Sequence, residues 1–334
     1  IERSIMDAFY RGGYHDLFRI ISDAVSKQPQ LPETYLYYFD VARFADVFGY
    51  DRAAGVLSAA LSTLRAGGDF QGRNSLALAL TVQLDRVLRL GRSPDASRTT
   101  AFLRPLRRWK IAGPYHRYGR GDIDHQFLPE LSHDFEKAGV KSRTVTLRGG
   151  DGALDCRRYL YPSQGVAYAL TSISLPHPVK VRVYADTEYA LFINGRKVLA
   201  NLRGGTYRSC RVVRVWGVST ATLMIKMLRG DSWRCRVIVT DEHDIPISAE
   251  TPSIALTAGD FQHVEEMDYP YGEYVARSVT DPEKGFSLLG SYFDELDSDE
   301  SIQYYRLAAK SGDPLSSYFY GSALIAYSGS DRGS

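Results

Sequence analysis

The sequence predicts an α+β protein in which helical regions flank an antiparallel β-sandwich. In residues 1–90, apolar side chains recur at the three-and-four spacing of one helix face, as in the series Phe18, Ile21 and Val25. In residues 141–240, β-branched residues alternate with polar ones at a period of two, which is typical of strands. Helical spacing returns towards the C-terminus, so the order of these patterns predicts the order of the segments.

Length and composition set the class of protein. The 334 residues correspond to about two average domains, and 44% hydrophobic with 24% charged residues excludes disordered and collagen-like chains. No apolar run approaches the roughly 18 residues of a membrane helix, so we expect no membrane insertion. The sequence begins at Ile1 without a leader pattern, and we expect it to be an internal part of a longer protein.

Charge is distributed unevenly along the chain, although the net value is only +2. Residues 86–120 contain ten basic residues and one acid, whereas residues 241–300 contain sixteen acids and two basic residues. Because the planar guanidinium of arginine suits carboxylate partners, one explanation is contact between the two regions. Nucleic-acid binding is the competing explanation. The acidic region argues against it, since nucleic-acid-binding domains are basic overall, and we predict none.

The N-terminal helices contain an internal repeat at an offset of 36 residues. The glycine of each copy is expected to end one helix, and the small residues Ala24 and Ala60 to allow close helix packing. The matched positions are Gly13-Tyr14, Ile20, Ile21, Ser22, Ala24 and Val25, and Gly49-Tyr50, Val56, Leu57, Ser58, Ala60 and Leu61. They resemble tetratricopeptide repeats, and we predict a third helix pair over residues 73–90.

The C-terminal region carries a related pattern. It comprises Ser301, Tyr304-Tyr305, Ala308-Ala309, Gly312-Asp313, Ser316 and Gly321. These residues resemble the SEL-type subclass of tetratricopeptide repeats. Because helical repeats bury their faces against stacked neighbours, the resemblance implies the first repeats of a second helical array.

Short strands dominate the region between the helical ends. Val179, Val181 and Val183 alternate with polar residues, and Asn194-Gly195 between apolar pairs is the signal for a hairpin with a type I′ turn. Strands at this spacing predict an antiparallel sandwich rather than a barrel of βα units. We expect each strand to be half-buried, with a core that includes Val181, Leu223, Ile225 and Trp233.

A series of motifs across residues 109–247 carries a family resemblance. The motifs are Trp109 to Tyr115, Asp124 to Phe127, Pro129-Glu130, Tyr168-Ala169, Asp186, Ile193-Asn194-Gly195, Leu223 to Lys226, Trp233 and Asp241. They resemble the galactose-binding-like jelly roll that bacterial multidomain proteins carry beside tetratricopeptide repeats, often before a transglutaminase-like domain. The resemblance implies structural roles for these motifs and no catalytic one. No transglutaminase-like part follows the sandwich in this sequence.

The sequence therefore predicts four segments in order along the chain. They are a tetratricopeptide-like helical region over 1–95, a galactose-binding-like β-sandwich over 105–250, an acidic connector over 251–282 and the start of C-terminal SEL-type helical repeats over 283–330.

Candidate metal and redox residues are few. The cysteines Cys156, Cys210 and Cys235 are odd in number and widely spaced, which suits neither a disulfide framework nor a zinc site. Cys235 has the alternation of a buried strand residue.

An acidic cluster lies at the start of the sandwich and comprises Asp122, Asp124, His125 and Glu130. It offers fewer than the six or more oxygen ligands that calcium takes. We predict no metal and no cofactor, and a structural calcium is the open alternative.

Two groups of residues are candidates for binding a partner. Strand alternation turns one group outward, giving a basic face edged by an aromatic ring: Lys180, Arg182, Tyr184, Arg234 and Arg236. Such a face suits an anionic glycan or an acidic protein segment, and a solvated sheet face is the alternative. The second group, Arg104, Arg107 and Arg108, lies in the basic stretch and would steer a partner electrostatically.

The predicted function is a non-enzymatic protein-interaction or scaffolding module of a larger bacterial protein. The sequence has no phosphate loop, no metal-ligand spacing and no recognisable nucleophile motif, whereas helical repeats offer surfaces to protein partners. The alternatives are a carbohydrate-binding module and the non-catalytic part of an enzyme whose catalytic domain lies elsewhere. We expect a periplasmic or cell-envelope location, with the cytoplasm as the alternative.

Overall fold

The chain forms two compact units, Ile1–Pro94 with Tyr269–Ser334, and Asp95–Asp268. The second unit contains the predicted sandwich, and the first contains residues from both predicted helical segments. Helices and two antiparallel sheets are both present, as an α+β protein requires. The computed structural model describes residues 11–31, 34–68, 70, 72–116, 123–132, 135–136, 139–161, 165–201, 210–228, 233–252, 254, 263–267, 300–310, 317, 320–321 and 324.

The helical unit begins its main helices where the sequence repeat predicts. The helices described for this unit are α1 (Tyr14–Lys27), α2 (Tyr35–Arg43), α3 (Ala45–Phe48), α4 (Tyr50–Ala66), α5 (Arg73–Leu90) and, near the C-terminus, α8 (Glu300–Lys310). Both α1 and α4 follow a glycine directly, and Gly49 has a φ of 98°, a conformation that favours glycine. The offset of 36 residues therefore relates two helices that start in the same way.

Helices α1 and α4 lie side by side and run in the same direction. Near their starts the Arg52 guanidinium lies 5.0 Å from the centre of the Phe18 ring. Near their ends Thr63 Oγ1 donates a hydrogen bond of 3.0 Å to the Ser26 carbonyl. Helix α2 packs on α1 and α5 packs on α4, which gives two adjacent helix pairs.

Residues 73–90 form one helix of 18 residues, so the prediction of a third helix pair there is wrong. No glycine or proline interrupts this stretch, and one face remains apolar along its length through Leu76, Leu80, Leu84 and Val87. Tyr304 of α8 packs against the same apolar cluster.

None of the described helices is long and apolar enough to cross a membrane. The remaining SEL-type motif residues Gly312-Asp313 and Ser316 lie outside the described residues.

Among its described residues, the sandwich unit contains two helices, one 3₁₀ turn (Cys156–Arg158) and two sheets. The elements are α6 (Ala96–Leu103), α7 (Leu128–Ser132), β1 (Arg108–Tyr115), β2 (Ser142–Thr146), β3 (Leu154–Asp155), β4 (Val166–Ser174), β5 (Val179–Ala185), β6 (Tyr189–Ile193), β7 (Arg196–Asn201), β8 (Cys210–Trp216), β9 (Thr220–Leu228), β10 (Arg234–Thr240) and β11 (His263–Met267). Sheet A has the strand order β2-β1-β4-β9-β6-β7 and sheet B the order β11-β8-β5-β10-β3. All neighbouring strands are antiparallel.

Alternate residues from both sheets form one shared apolar core. It contains all four residues predicted for it, Val181, Leu223, Ile225 and Trp233, and each is fully buried. The predicted hairpin is also confirmed, because Asn194 and Gly195 join β6 to β7 with φ values of 43° and 87°.

The prediction that the strands are half-buried is wrong for the central strands, which are buried on both faces. On the outer face of sheet A, Phe135 and Val140 pack with Tyr168, Phe192 and Met224 in a second apolar cluster. Period-two alternation distinguishes the two faces of a strand, but it does not reveal a connecting segment that covers the outer one.

Candidate functional site

A cluster of buried charged side chains lies on the outer face of sheet A. Tyr168 of β4 and Lys226 of β9 are register partners with 0% and 1% of their surface exposed. Glu130 of α7 accepts on Oε1 from Lys226 Nζ at 2.8 Å and from the Tyr168 hydroxyl. Lys226 Nζ also donates to the His125 carbonyl at 2.6 Å. This sheet A cluster, Glu130, Tyr168 and Lys226, fastens the segment around α7 to the sheet.

Aromatic rings surround the ammonium group of the sheet A cluster. Lys226 Nζ lies 5.6 Å from the centre of the Phe127 ring and 5.9 Å from that of Tyr168, where cation–π attraction adds to the ion pair. Burial, with the hydrogen-bonded Glu130 carboxylate, raises the pKa of Tyr168 well above its ordinary value. The hydroxyl therefore stays protonated and donates. One cation meets one carboxylate, so the pair is internally balanced.

The structure divides the predicted acidic cluster. Asp122 lies outside the described residues, and Glu130 is committed to Lys226. Asp124 is exposed, and its charge adds to the effect of burial in raising the pKa of Glu188. Within the described part of the chain, no three His, Cys, Asp or Glu side chains are grouped so as to hold a metal ion.

The predicted basic residues of sheet B lie on its outer face, as alternation predicts, but the expectation that they are exposed is wrong. The exposed fractions are 8% for Lys180, 6% for Arg182, 5% for Tyr184 and 1% for Arg236. The turn that follows β10 brings Asp244 over β5 and onto Lys180 and Arg182. Arg234 keeps 36% of its side chain exposed, and its Nη2 lies 2.5 Å from the Asp151 carboxylate.

Asp244 is presented to sheet B by a tight turn. Oδ1 of Asp241 accepts from the backbone N–H groups of His243 and Ile245, each at 2.9 Å, and Asp244 has a φ of 65°. Oδ1 of Asp244 accepts from Lys180 Nζ at 2.7 Å and from Arg182 Nη2. We call Lys180, Arg182 and Asp244 the sheet B cluster.

The electrostatics of the sheet B cluster favour its charged state. Burial opposes ionisation of Asp244, but the charges of Arg182 and Lys180 outweigh it and hold its pKa below the ordinary value. Burial likewise opposes the charge on Arg182, and the Asp244 carboxylate reverses that effect, so the pKa of Arg182 is raised. The carboxylate of Asp244 and the guanidinium of Arg182 are therefore both ionised at neutral pH.

The three arginines that precede the sandwich differ in their surroundings. Arg104 is exposed and ends α6. Arg107 Nη1 donates to the Leu147 carbonyl at 3.3 Å. Oε1 of Glu250 accepts from the backbone N–H groups of Arg107, at 2.8 Å, and of Arg108. The basic and acidic regions therefore meet at this point, through these backbone N–H groups and through Arg108 Nη1, which donates to the Pro252 carbonyl.

The cysteines are all free thiols. Cys156 and Cys235 lie in the shared core, as predicted for Cys235, and burial raises the pKa of both. Cys210 is half-buried on β8, where burial again raises the pKa. Raised thiol pKa values disfavour the thiolate, which is the reactive form.

Sequence reasoning missed both buried ion clusters. It considered Glu130 as a calcium ligand and as part of a structural motif, without a partner for its charge, and it did not bring Asp244 to β5. One signal lies in the strand itself, since Lys226 interrupts the apolar run from Leu223 to Leu228. A lysine inside a buried strand needs a carboxylate partner, although the sequence does not say which one.

Searches with this chain against protein-family models, curated proteins and solved structures found no match.

Proposed function

We propose that this chain is a non-enzymatic protein-interaction or scaffolding module of a larger bacterial protein. The observation that carries the proposal is the helical unit, in which α1 and α4 run in the same direction within two adjacent helix pairs. Stacked helix pairs present extended surfaces that bind partner proteins. The resemblance to tetratricopeptide and SEL-type repeats supports the same function, and a periplasmic or cell-envelope location rests on the resemblance alone.

The sheet A cluster supports a structural rather than a catalytic sandwich. A general acid or base must reach a proton of the substrate. Oε1 of Glu130 instead accepts from Lys226 Nζ, from the Tyr168 hydroxyl and from the Phe127 backbone N–H at 3.4 Å. A carboxylate used in this way holds a segment in place, which is a structural role.

The test is affinity capture with the full chain as bait in bacterial envelope extracts, followed by measurement of the captured partner's affinity. Ser58 and Arg65 are exposed on α4, so the double variant Ser58→Glu/Arg65→Glu alters the helical surface without touching the core. The matched control is Arg158→Glu, an exposed position in the sandwich unit. We expect the α4 variant to lose the partner and the control to keep it. Equal binding by both variants contradicts the proposal.

The basic stretch adds a test of electrostatic steering. Arg104 is exposed, whereas Arg107 is bonded within the sandwich, so Arg104→Glu is the clean charge reversal. We expect partner association to slow between about 0.05 M and about 0.5 M salt, and to slow again in Arg104→Glu. Association rates that stay unchanged would contradict electrostatic steering by the basic stretch. Separately, a hydrolase or transferase activity abolished by one substitution overturns the non-enzymatic assignment.

Carbohydrate binding is the second candidate, favoured by a group of half-buried aromatic rings. The half-buried rings of Tyr115 and Phe127 lie 5.5 Å apart between centres, and the His125 ring lies 4.7 Å from that of Phe127. Aromatic faces with a few polar groups are the usual lining of small-molecule sites. A glycan array tests this candidate: loss of a signal in Tyr115→Ala, but not in the exposed control Tyr161→Ala, supports it.

A further inference from the structure

The sheet B cluster buries more positive than negative charge. Lys180 and Arg182 both donate to the single oxygen Oδ1 of Asp244, and no other carboxylate among the described residues pairs with either cation. Only 10% of the Lys180 side chain and 7% of the Arg182 side chain are exposed. Two buried cations therefore share one carboxylate, which leaves one charge uncompensated within this cluster.

Arg182 also has a donor that is not used. Its Nε is buried and has no hydrogen-bond partner among the described residues. The register partners of Arg182 are the apolar residues Val212 on β8 and Ile238 on β10, and the side chain of Cys210 on β8 also interacts with the guanidinium but brings no compensating charge as a thiol. A buried donor without an acceptor and a buried charge without a counterion each cost free energy. An anion bound at Nε would remove both costs.

We propose that Arg182 and Lys180 form a binding site for a compact oxyanion, the class that includes inorganic phosphate, sulfate and carboxylate groups. The guanidinium supplies Nε beside Nη2, which Asp244 already engages, so the oxyanion and Asp244 occupy neighbouring donors of one planar group. Arg236 lies on the same face, next to Tyr184 in register. This site is independent of the proposed partner-binding function of the helices.

Burial decides the size of the ligand. A polysaccharide chain lying across the sheet requires exposed side chains, whereas Lys180, Arg182 and Arg236 are at most 8% exposed. A compact ion needs contact with only the donor edge of one or two side chains. The site therefore takes a single oxyanion group rather than the extended anionic glycan that the sequence suggests.

The experiment is a titration of the full chain with inorganic phosphate, in which calorimetry measures binding and the thermal unfolding midpoint measures stabilisation. Sodium chloride at equal ionic strength is the reference. Sulfate and acetate are further arms that rank the oxyanions. We expect the midpoint to rise steadily with phosphate and not with chloride, because a ligand that binds the folded state stabilises it. A midpoint that responds equally to phosphate and chloride overturns the proposal.

Three variants locate the site. Arg182→Gln removes the unused donor and is expected to weaken phosphate binding at least about tenfold. Asp244→Asn removes the competing carboxylate and is expected to tighten binding by about tenfold. The control is Lys197→Gln, which removes an exposed cation from β7 of sheet A, and its phosphate affinity should match that of the parent.

Arg182→Gln and Asp244→Asn are expected to change the phosphate affinity in opposite directions, which a general loss of stability would not do. If Arg182→Gln does not fold, Lys180→Gln replaces it with the same expected direction. Phosphate binding that is unchanged in Arg182→Gln or Lys180→Gln overturns the site, and so does weaker binding in Asp244→Asn.

Discussion

The two outer faces of the sandwich both bury charged side chains, but they balance charge in different ways. On sheet A one cation, Lys226, meets one carboxylate, Glu130, with Tyr168 as a further donor. On sheet B two cations, Lys180 and Arg182, meet the one carboxylate of Asp244. In both clusters the carboxylate comes from a connecting segment and the cations come from strands. In the sheet A cluster the charges balance, and the cluster anchors a segment to the sheet. In the sheet B cluster one positive charge remains, which is available to an anionic ligand.

The largest expected effect comes from breaking the core that supports both faces. Ile225 is fully buried on β9, and its neighbours in register are Ala169 on β4 and Leu191 on β6. Ile225→Asp places an unpaired carboxylate in that core, and we expect it to lower the free energy of unfolding by more than about 4 kcal/mol. Ile225→Val is the control, at about 0.5–1.5 kcal/mol. Urea unfolding measures both, and a parent-like midpoint for Ile225→Asp refutes the shared core.

The second largest effect is expected from a change in the sheet A cluster. Glu130→Gln leaves the ammonium of Lys226 buried without a counterion, and we expect a loss of about 3–5 kcal/mol in the free energy of unfolding. The double variant Glu130→Leu/Lys226→Met removes both charges and should lie within about 1 kcal/mol of the parent. Chemical denaturation compares the two. If the double variant is as unstable as the single one, the pair does more than balance charge.

Much of the fold follows from local patterns, which explains why those parts could be predicted. The glycines before Tyr14 and Tyr50, the period-two alternation around Val181 and the hairpin at Asn194-Gly195 each depend on neighbouring residues alone. These are the elements that the structure reproduces.

The ion clusters depend on contacts between distant residues, so the sequence could not specify them. Lys226 meets Glu130, 96 residues away, and Arg182 meets Asp244, 62 residues away. Alternation correctly turns Arg182 away from the core, but exposure is set by the turn that covers β5. A side chain's direction is a local property, and its burial is a property of the whole fold.

Acid should affect the sheet B cluster in a defined direction. Because Arg182 and Lys180 hold the pKa of Asp244 below its ordinary value, the carboxylate stabilises the folded state above its unfolded pKa of about 3.9. That contribution is lost as pH falls through the lower, folded-state pKa. The free energy of unfolding, measured from about pH 7 to about pH 3 in oxyanion-free buffers, should therefore decline more steeply for the parent than for Asp244→Asn. Parallel curves contradict the pairing of Asp244 with the two cations.

The smallest effect belongs to the ion pair at the rim of sheet B. Arg214 and Glu242 keep 35% and 43% of their side chains exposed, and the guanidinium also lies 4.9 Å from the centre of the Trp216 ring. Water and salt screen such a pair, so Arg214→Gln should change the free energy of unfolding by less than about 1 kcal/mol. Arg214→Lys keeps the charge and separates the ion pair from ring stacking, since lysine lacks the planar guanidinium. If Arg214→Gln lowers the free energy of unfolding as much as Glu130→Gln does, burial does not explain the difference between the exposed and the buried ion pair.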